Sequence, residues 1–346
     1  MQNEAMIAQL NDTLTGLKID AECIGARQSR HFGFYDVKLG FKCRVKKLEG
    51  VAEEIALRIK SRTTPIVRPL RDQGIVRLQV VNSDAKVLDF ASTYPLSKGK
   101  GMMPFLFGET DEGEVLWNDM TMNPHMLVAG STGSGKSVFL HVLVANAVRT
   151  SRVRLYLVDP KGVEFAPYRH ASMKNVVWNI SQKYDETIYM LEGLIDEMEQ
   201  RYAILQQEGF SSLEQAPWMF DKILVVIDEV ADIILLDGRS KRFENLVVKL
   251  AQKSRAAGIY LTLATQRPSV DVLTGLIKAN FEARLSFKVT SQVDSRVILD
   301  HSGAEHLVDR GDAIFKNRAF NSVRLQTAFV RPQDTVQYCV SNPHRL

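Results

Sequence analysis

Residues 125–148 read HMLVAGSTGSGKSVFLHVLVANAV, and this stretch decides the fold. Its opening HMLVAG is an apolar run typical of a buried strand, and the closing VFLHVLVANAV has the length and apolar content of a helix. Between them, Gly130 to Ser137 match the pattern GxxxxGK[ST]. Glycines let backbone N–H groups turn towards an anion, and the helix N-terminus adds partial positive charge. The stretch therefore predicts a phosphate-binding loop between a strand and a helix.

The same pattern assigns individual roles. We expect Lys136 to reach the β- and γ-phosphates of ATP and Ser137 to ligate Mg²⁺. The predicted nucleotide cradle consists of Gly130, Ser131, Thr132, Gly133, Ser134, Gly135, Lys136 and Ser137.

Further apolar runs follow the phosphate loop and alternate with helical segments. They are VRLYLVD at 153–159, KILVVID at 222–228, IYLTLAT at 259–265 and ARLSFKV at 283–289. Continuous apolar strands separated by helices are typical of a parallel sheet that is covered on both faces. The second half of the chain is therefore expected to be a doubly wound α/β domain.

Polar residues stand where two of these strands end, at the edge where open α/β sheets bind ligands. Asp228 and Glu229 follow the run ILVVI. We expect Asp228 to position Mg²⁺ through its water shell and Glu229 to orient and deprotonate the attacking water. Gln266 follows IYLTLAT and either senses the γ-phosphate or satisfies loop backbone as a strand-end amide.

The first part of the chain has a different pattern. Helical spacing at 5–17 and 51–59 and strand-like runs at 34–39 and 74–81 predict a small α+β domain over residues 1–117. Residues 96–114 are rich in Ser, Gly, Lys and acidic residues, which favours a connector or hairpin rather than core. Residues 118–346 would then form the ATPase domain.

Composition excludes several classes of protein. The 346 residues are 45% hydrophobic and 24% charged, which is typical of globular proteins and argues against disorder or coiled coils. Three cysteines without CxxC spacing form no disulfide framework or zinc site, so we expect a reducing, cytoplasmic setting. No apolar stretch approaches the roughly 20 residues that span a bilayer, so we expect no membrane segment in this chain.

The net charge is small but unevenly distributed. Lys and Arg number 44 against 40 Asp and Glu, so 44 − 40 gives +4. Residues 27–71 alone carry twelve basic and four acidic residues, a surplus of +8. This surplus indicates either a solvated helix face with loops or a patch facing a polyanion, and both interpretations stay open.

The motifs together resemble the motor of the FtsK/SpoIIIE family of double-stranded DNA translocases. The resemblance is strong over residues 123–330 and weaker in the preceding α+β unit. It rests on 251–307, which contains KSRAAGIYLTLATQRP, and on GSTGSGKSV at 130–138, VDPKGVEF at 158–165, VVIDEVADI at 225–233 and RGDAIF at 310–315.

The resemblance implies a RecA-like core assembled as a hexameric ring, with DNA in the channel and ATP at the subunit boundaries. It implies that Arg255 is an arginine finger acting on the neighbouring subunit, where a guanidinium would neutralise charge on the γ-phosphate. Without the resemblance, Arg255 would be interpreted as a surface cation at a helix end.

The family's two DNA loops fall on Thr265 and Arg267 and on the segment 291–296, which contains Arg296. Relatives commonly carry lysine where this sequence has Gln292, which removes a phosphate contact from each subunit. We therefore expect DNA affinity with a shallower salt dependence than a lysine-bearing relative would show.

The function predicted from the sequence is ATP-driven translocation of double-stranded DNA, in chromosome segregation or in transfer or packaging of mobile or viral DNA. The family's cell-division members also carry a multi-span membrane region and a winged-helix module, neither of which is expected here. The alternative is the ATPase of a protein secretion machine, against which Arg267 and Arg296 argue. A nucleotide switch without motor action is disfavoured because Glu229 and Arg255 are both present.

Overall fold

The structure is a computed structural model that describes residues 2–29, 31–61, 64–82, 87–97, 100–169, 177–308 and 310–340. The chain divides into two compact units. The smaller comprises residues 1–87 with 111–114, and the larger comprises residues 88–110 with 115–346.

The smaller unit packs helices on one antiparallel sheet, as the sequence predicts for an α+β domain. Its elements are α1 (Gln2–Gly16), β1 (Ala21–Gln28), β2 (Phe32–Leu39), α2 (Val45–Glu49), α3 (Ala52–Arg58), β3 (Ile66–Leu70) and β4 (Ile75–Val81). The strand order is β1-β2-β4-β3 among the described residues. Leu14 of α1, Ile55 of α3 and Leu78 of β4 are fully buried together, because each element turns one apolar face towards the others.

The larger unit is built on a single mixed sheet with ten strands in the part of the chain that the structure describes. They are β5 (Pro104–Thr110), β6 (Val115–Asp119), β7 (His125–Ala129), β8 (Val153–Val158), β9 (Val177–Ser181), β10 (Lys222–Ile227), β11 (Ile259–Thr265), β12 (Ala283–Phe287), β13 (Asp312–Lys316) and β14 (Val323–Thr327). Their order is β6-β5-β14-β13-β12-β7-β11-β10-β8-β9. The strands from β12 to β9 are parallel, and those from β13 to β6 are antiparallel.

Helices cover both faces of this sheet. They are α4 (Phe90–Thr93), α5 (Lys136–Arg149), α6 (Tyr184–Gln207), α7 (Val230–Asp237), α8 (Arg242–Lys253), α9 (Gly275–Asn280), α10 (Gln292–Leu299) and α11 (Pro332–Val340). Leu224 and Val226 of β10 join an apolar cluster with α5, whereas Ile223, Val225 and Ile227 join a cluster with α6, α7 and α8. Because side chains alternate along a strand, a continuous apolar run requires apolar partners on both faces. The doubly wound prediction is confirmed.

The segment 96–114 differs from its prediction as non-core. Its polar ends flank β5, in which Phe105, Leu106 and Phe107 are fully buried. β5 and β6 do form a hairpin, and β5 pairs with β14 in the sheet of the larger unit. The compact units therefore divide after Val87 rather than after Trp117, which lies inside β6. The pairing of β5 with β14 sets this boundary, and no local feature of the sequence identifies β14 as the strand that pairs with β5.

The strand order prepares the functional site. β11 is late in the sequence but is inserted between β7 and β10, with parallel pairing to each. The carboxyl ends of these three strands are therefore neighbours at one edge of the sheet. We call this edge, which bears Gly130, Asp228 and Gln266, the carboxyl edge, and the opposite edge, which bears His125 and Ile259, the amino edge.

None of the described helices is long and apolar enough to cross a membrane.

Candidate active site

The phosphate loop joins β7 to α5 in a conformation that requires glycine. Gly133 and Gly135 have φ of 82° and 112°, in the left-handed region. A Cβ on Gly135 would lie 2.5 Å from the backbone nitrogen of Gly311, so only glycine allows this close approach. The Gly311 N–H donates to the Ser134 carbonyl at 2.8 Å, and the Ser131 N–H donates to the Lys288 carbonyl at 2.9 Å. Contacts from two distant segments thus hold the loop open before any ligand binds.

This loop fits a chain of phosphates. The first N–H groups of α5 lack helical partners, as at every helix start, and Lys136 and Ser137 stand in its first turn. The hydroxyl of Ser134 is buried and has no partner among the described residues. The residues predicted for the cradle are therefore contiguous and shaped for an anion, and their contact with ATP stays a prediction.

Lys136 is directed towards the end of β10. Its Nζ donates to Oδ1 of Asp228 at 2.7 Å and to the carbonyl oxygen of the same residue at 2.9 Å, and both side chains are buried. Burial raises the pKa of Asp228, and the negative charges of Glu164 and Asp159 act in the same direction, while Lys136 opposes them. The structure thus brings together the cation and the first carboxylate that the sequence predicts.

Glu229 is held by the end of β11. Its Oε1 accepts from the Thr265 hydroxyl at 2.7 Å, and its Oε2 accepts from the Gln266 N–H at 2.9 Å. The side chain of Glu229 is 3% exposed, so these two bonds fix its carboxylate in a largely dry site. The structure therefore provides a rigid carboxylate of the kind that general-base catalysis requires.

Gln266 connects this carboxylate to the phosphate loop. Its Oε1 accepts from the Thr132 hydroxyl at 2.9 Å, while its N–H holds Glu229. A movement of the phosphate loop at Thr132 can therefore be transmitted to Glu229 through Gln266 alone. This geometry suits a sensor, which is the first of the two alternatives for Gln266.

Thr265 is a correction to the predicted DNA contacts. It is 1% exposed, and its hydroxyl is used by Glu229 and by the Arg267 N–H. Its side chain faces the acidic pair, because it is the last residue of the central strand β11. Thr265 therefore supports Glu229, and its buried side chain is not exposed at the surface as a DNA contact would be.

Glu164 is a member of the site that the sequence motifs by themselves do not single out. His141 Nε2 lies 2.8 Å from its Oε1, and Ser137 stands one turn before His141 on the same face of α5, beside this carboxylate. Burial by itself would raise the pKa of Glu164, but the hydrogen bonds from His141 and Ser137 lower it. The signal was available, because Glu164 follows β8 closely and β8 ends at the same carboxyl edge.

Arg255 lies at the amino edge, away from the phosphate loop of its own chain. It occupies the connection between α8 and β11, pairs with Glu214 at 3.4 Å and has 44% of its side chain exposed. It lines a pocket of 320 Å³ together with His125 at the start of β7 and Ala283 at the start of β12. The seven residues of β11 separate this edge from Gln266, a span of roughly 20 Å.

The remaining predicted DNA residues are exposed. Arg267 follows β11, and Gln292 and Arg296 lie on α10. Neither arginine forms an ion pair with an acidic residue in the described part of the chain, so both guanidinium groups are available to phosphates.

A phosphate loop and a buried acidic pair at the carboxyl edge of a parallel sheet define a P-loop ATPase. The model of the FtsK/SpoIIIE family matches residues 86–270, and the chain belongs to this family.

Two curated relatives match nearly all of this chain. The DNA translocase FtsK of Corynebacterium glutamicum is 35% identical over 357 aligned positions, which include 96% of this chain and 38% of that protein. FtsK of Streptomyces coelicolor is 34% identical, covering 97% of this chain and 39% of that protein. The chain thus spans about two-fifths of the length of these relatives.

Solved structures share the fold. The pCW3 conjugation coupling protein TcpA, solved as a monomer with ATPγS, has a TM-score of 0.69 at 22% identity over 96% of this chain and 99% of that chain. The cytoplasmic domain of the type VII secretion ATPase EccC of Thermomonospora curvata has a TM-score of 0.58 at 26% identity, covering 66% of this chain and 29% of that chain. The mixed α/β core predicted from the sequence is therefore confirmed.

Proposed function

We propose that this chain is the motor of an ATP-driven translocase of double-stranded DNA, working as a ring with ATP at its subunit interfaces. Membership of the FtsK/SpoIIIE family and the DNA translocases among the relatives support DNA as the substrate. The proposal includes a hexameric, cytoplasmic assembly. Segregation of chromosomes and transfer or packaging of mobile or viral DNA are the tasks that fit such a motor.

The observation that supports a ring with ATP at its subunit interfaces is the separation of Arg255 from the phosphate loop. One lies at the amino edge and the other at the carboxyl edge of the same sheet, roughly 20 Å apart. Arg255 therefore cannot serve the nucleotide of its own chain in this structure. A head-to-tail ring places the amino edge of one subunit against the carboxyl edge of the next, which supplies the missing cation.

The chemistry follows from the residues at the carboxyl edge. Lys136 would stabilise the β- and γ-phosphates, and Glu229 would take a proton from the water that attacks the γ-phosphorus as its bond to ADP breaks. Ser137 and Asp228 would hold Mg²⁺, which supplies charge neutralisation at the phosphates when bound. Gln266 would report the state of the γ-phosphate to Glu229 and, through the chain, to Arg267.

Arg267 and Arg296 would grip DNA through its phosphates, which gives a sequence-independent hold suited to movement. Because Gln292 contributes no charge, Gln292→Lys should steepen the dependence of DNA affinity on salt by up to about one phosphate contact per engaged subunit. Fluorescence anisotropy with a duplex at several salt concentrations measures both slopes. Equal slopes would contradict a DNA contact at this position.

The decisive experiment measures displacement of a third strand from duplex DNA with ATP. We expect displacement and DNA-stimulated hydrolysis by the wild type, and loss of both in Lys136→Ala. The matched control is Lys183→Ala, since Lys183 is exposed and pairs at the surface with Glu186 at 3.7 Å. Displacement that survives in Lys136→Ala would refute the proposal.

The second candidate is the ATPase of a protein secretion machine, and the similarity to EccC motivates it. Robust ATP hydrolysis that DNA does not stimulate, together with no strand displacement, would favour this function. The exposed guanidinium groups of Arg267 and Arg296 favour DNA.

A further inference from the structure

A series of polar contacts leads from the interior of the ATPase unit towards Ser137. Tyr168 bonds Nδ1 of His141 at 2.6 Å, and Nε2 of His141 lies 2.8 Å from Glu164. Ser137 precedes His141 by one turn on the same face of α5, which places its hydroxyl beside Glu164. Tyr168 is 1% exposed and His141 is 6% exposed, so the contact between these two side chains is shielded from solvent. None of these three residues has a role in the hydrolysis described above.

The direction of each bond follows from the chemistry of the carboxylate. An ionised carboxylate only accepts, so His141 Nε2 donates to Glu164, and this carboxylate is an acceptor of the kind that the neighbouring Ser137 hydroxyl needs. When the imidazole is neutral and carries its hydrogen on Nε2, its Nδ1 accepts from the Tyr168 hydroxyl. His141 thus holds the carboxylate of Glu164 from α5, while Tyr168 holds the imidazole from the segment 166–169.

A hydroxyl that ligates a cation must direct a lone pair at the metal and its hydrogen elsewhere. An acceptor on the far side of the hydroxyl oxygen selects that orientation and increases the electron density on the oxygen. In this protein the carboxylate beside Ser137 is that of Glu164, whereas Asp228 is bonded to Lys136.

We propose that Glu164 is a positioning residue that orients the Ser137 hydroxyl for Mg²⁺ binding, with His141 and Tyr168 holding its carboxylate in place. This inference rests on the proposed use of Mg²⁺ with ATP. It assigns a division of labour among the acidic residues near the loop: Glu229 for water, Asp228 for Lys136 and the water shell of the metal, and Glu164 for Ser137.

The test compares nucleotide affinity with and without metal. Affinity for ATPγS is measured by calorimetry in EDTA and over a series of MgCl₂ concentrations, for the wild type and for Glu164→Gln. We expect the metal-free affinity to change less than about threefold, while the MgCl₂ concentration that gives half of the metal-dependent gain rises by about 10- to 100-fold. A merely structural role would lower both affinities together.

A double-mutant cycle identifies Ser137 as the residue through which Glu164 acts. Ser137→Ala removes the hydroxyl that Glu164 orients, so Glu164→Gln should have little further effect on metal dependence in that background. Fully additive effects would overturn the inference. Thermal unfolding of each variant checks that the fold is retained.

The matched control is Glu192→Gln. Glu192 lies on α6 and pairs with Arg242 at 2.7 Å on the surface, so this change should leave the metal dependence intact. If wild-type binding of ATPγS shows no dependence on MgCl₂, the proposed function fails and this inference fails with it. If the wild type depends on MgCl₂ and Glu164→Gln is unchanged, only this inference fails.

Discussion

At the scale of single residues, the hydrogen bonds to the carboxylate of Glu229 determine its orientation in the site. Both carboxylate oxygens accept hydrogen bonds from β11, one from a side chain and one from the backbone. A group held in this way loses little orientational freedom when it takes up a proton, which is the advantage of preorganisation. The backbone bond cannot be removed by substitution, whereas the bond from Thr265 can.

Thr265→Val should therefore impair hydrolysis more than binding. Valine matches the shape of threonine but leaves one buried oxygen of Glu229 without its donor. We expect the kcat for ATP to fall by about 10-fold or more, with the KM changed by less than about threefold. Steady-state ATPase kinetics measure both constants.

Thr265→Ser is the control, because serine keeps the hydroxyl and should retain most of the activity. Loss of DNA binding with normal DNA-independent hydrolysis in Thr265→Val would instead restore Thr265 as a DNA contact.

At the scale of elements, α10 is anchored at its end by Asp300. This residue caps the helix with φ of 65° and accepts from Arg284 at 2.6 Å, from Lys278 at 2.8 Å and from Lys316 at 3.0 Å. The three cations belong to β12, α9 and β13, so one carboxylate ties four elements together. Because α10 also bears Arg296, Asp300 fixes the base of a helix that we propose to contact DNA.

Asp300→Asn should destabilise the fold in a pH-dependent way. Burial by itself would raise the pKa of Asp300, but hydrogen bonds from Lys278 and Lys316 and the charge of Arg284 hold it well below its usual range. A depressed folded pKa means that the stabilisation is complete above the unfolded pKa, about 3.9, and is lost as the pH falls towards the folded pKa.

We therefore expect Asn to lower the free energy of unfolding by about 1 kcal/mol at pH 7, allowing for the half-exposed site, and by less below about pH 4. Asparagine also tolerates the left-handed conformation, so the change tests charge rather than backbone. Urea denaturation at both pH values measures the difference. Asp271→Asn, at an exposed position, is the control, and a loss at pH 7 that persists undiminished at low pH would contradict the argument.

At the scale of the whole molecule, the two halves of the proposed catalytic centre lie on opposite edges of one sheet. The carboxyl edge bears the phosphate loop and acidic pair, and the amino edge bears Arg255. In a monomer, Arg255 therefore has no nucleotide within reach, and the phosphate loop has Lys136 but no arginine finger. ATP hydrolysis would thus require assembly of the ring, which suits a motor that should hydrolyse ATP only when it is assembled on DNA.

Arg255→Ala should leave ATP binding intact but stop turnover in assembled rings, by a factor of about 10³ or more. Mixing it with Lys136→Ala should restore activity, because some interfaces then combine an intact Lys136 with an intact Arg255. ATPase assays of each variant and of the mixture, on DNA, measure this. Normal hydrolysis by Arg255→Ala alone, or mixed rings without any recovery, would show that Arg255 does not act between subunits.

The sequence by itself determined those features that depend on residues close together in the chain. The phosphate loop, the strand that delivers Asp228 and Glu229, and the two-sided apolar pattern of the parallel sheet could all be predicted, since each depends on residues close together in the chain. Motif resemblance likewise indicated the family and the residue Arg255.

Only the tertiary structure decided which residues meet. The insertion of β11 between β7 and β10 places Thr265 against Glu229 and Gln266 against Thr132, and the pairing of β5 with β14 moves a polar-flanked segment into the core. The contact of Glu164 with His141, beside Ser137, arises in the same way. These contacts depend on strand order, which sequence periodicity does not encode, because periodicity specifies the faces of a strand but not its neighbours.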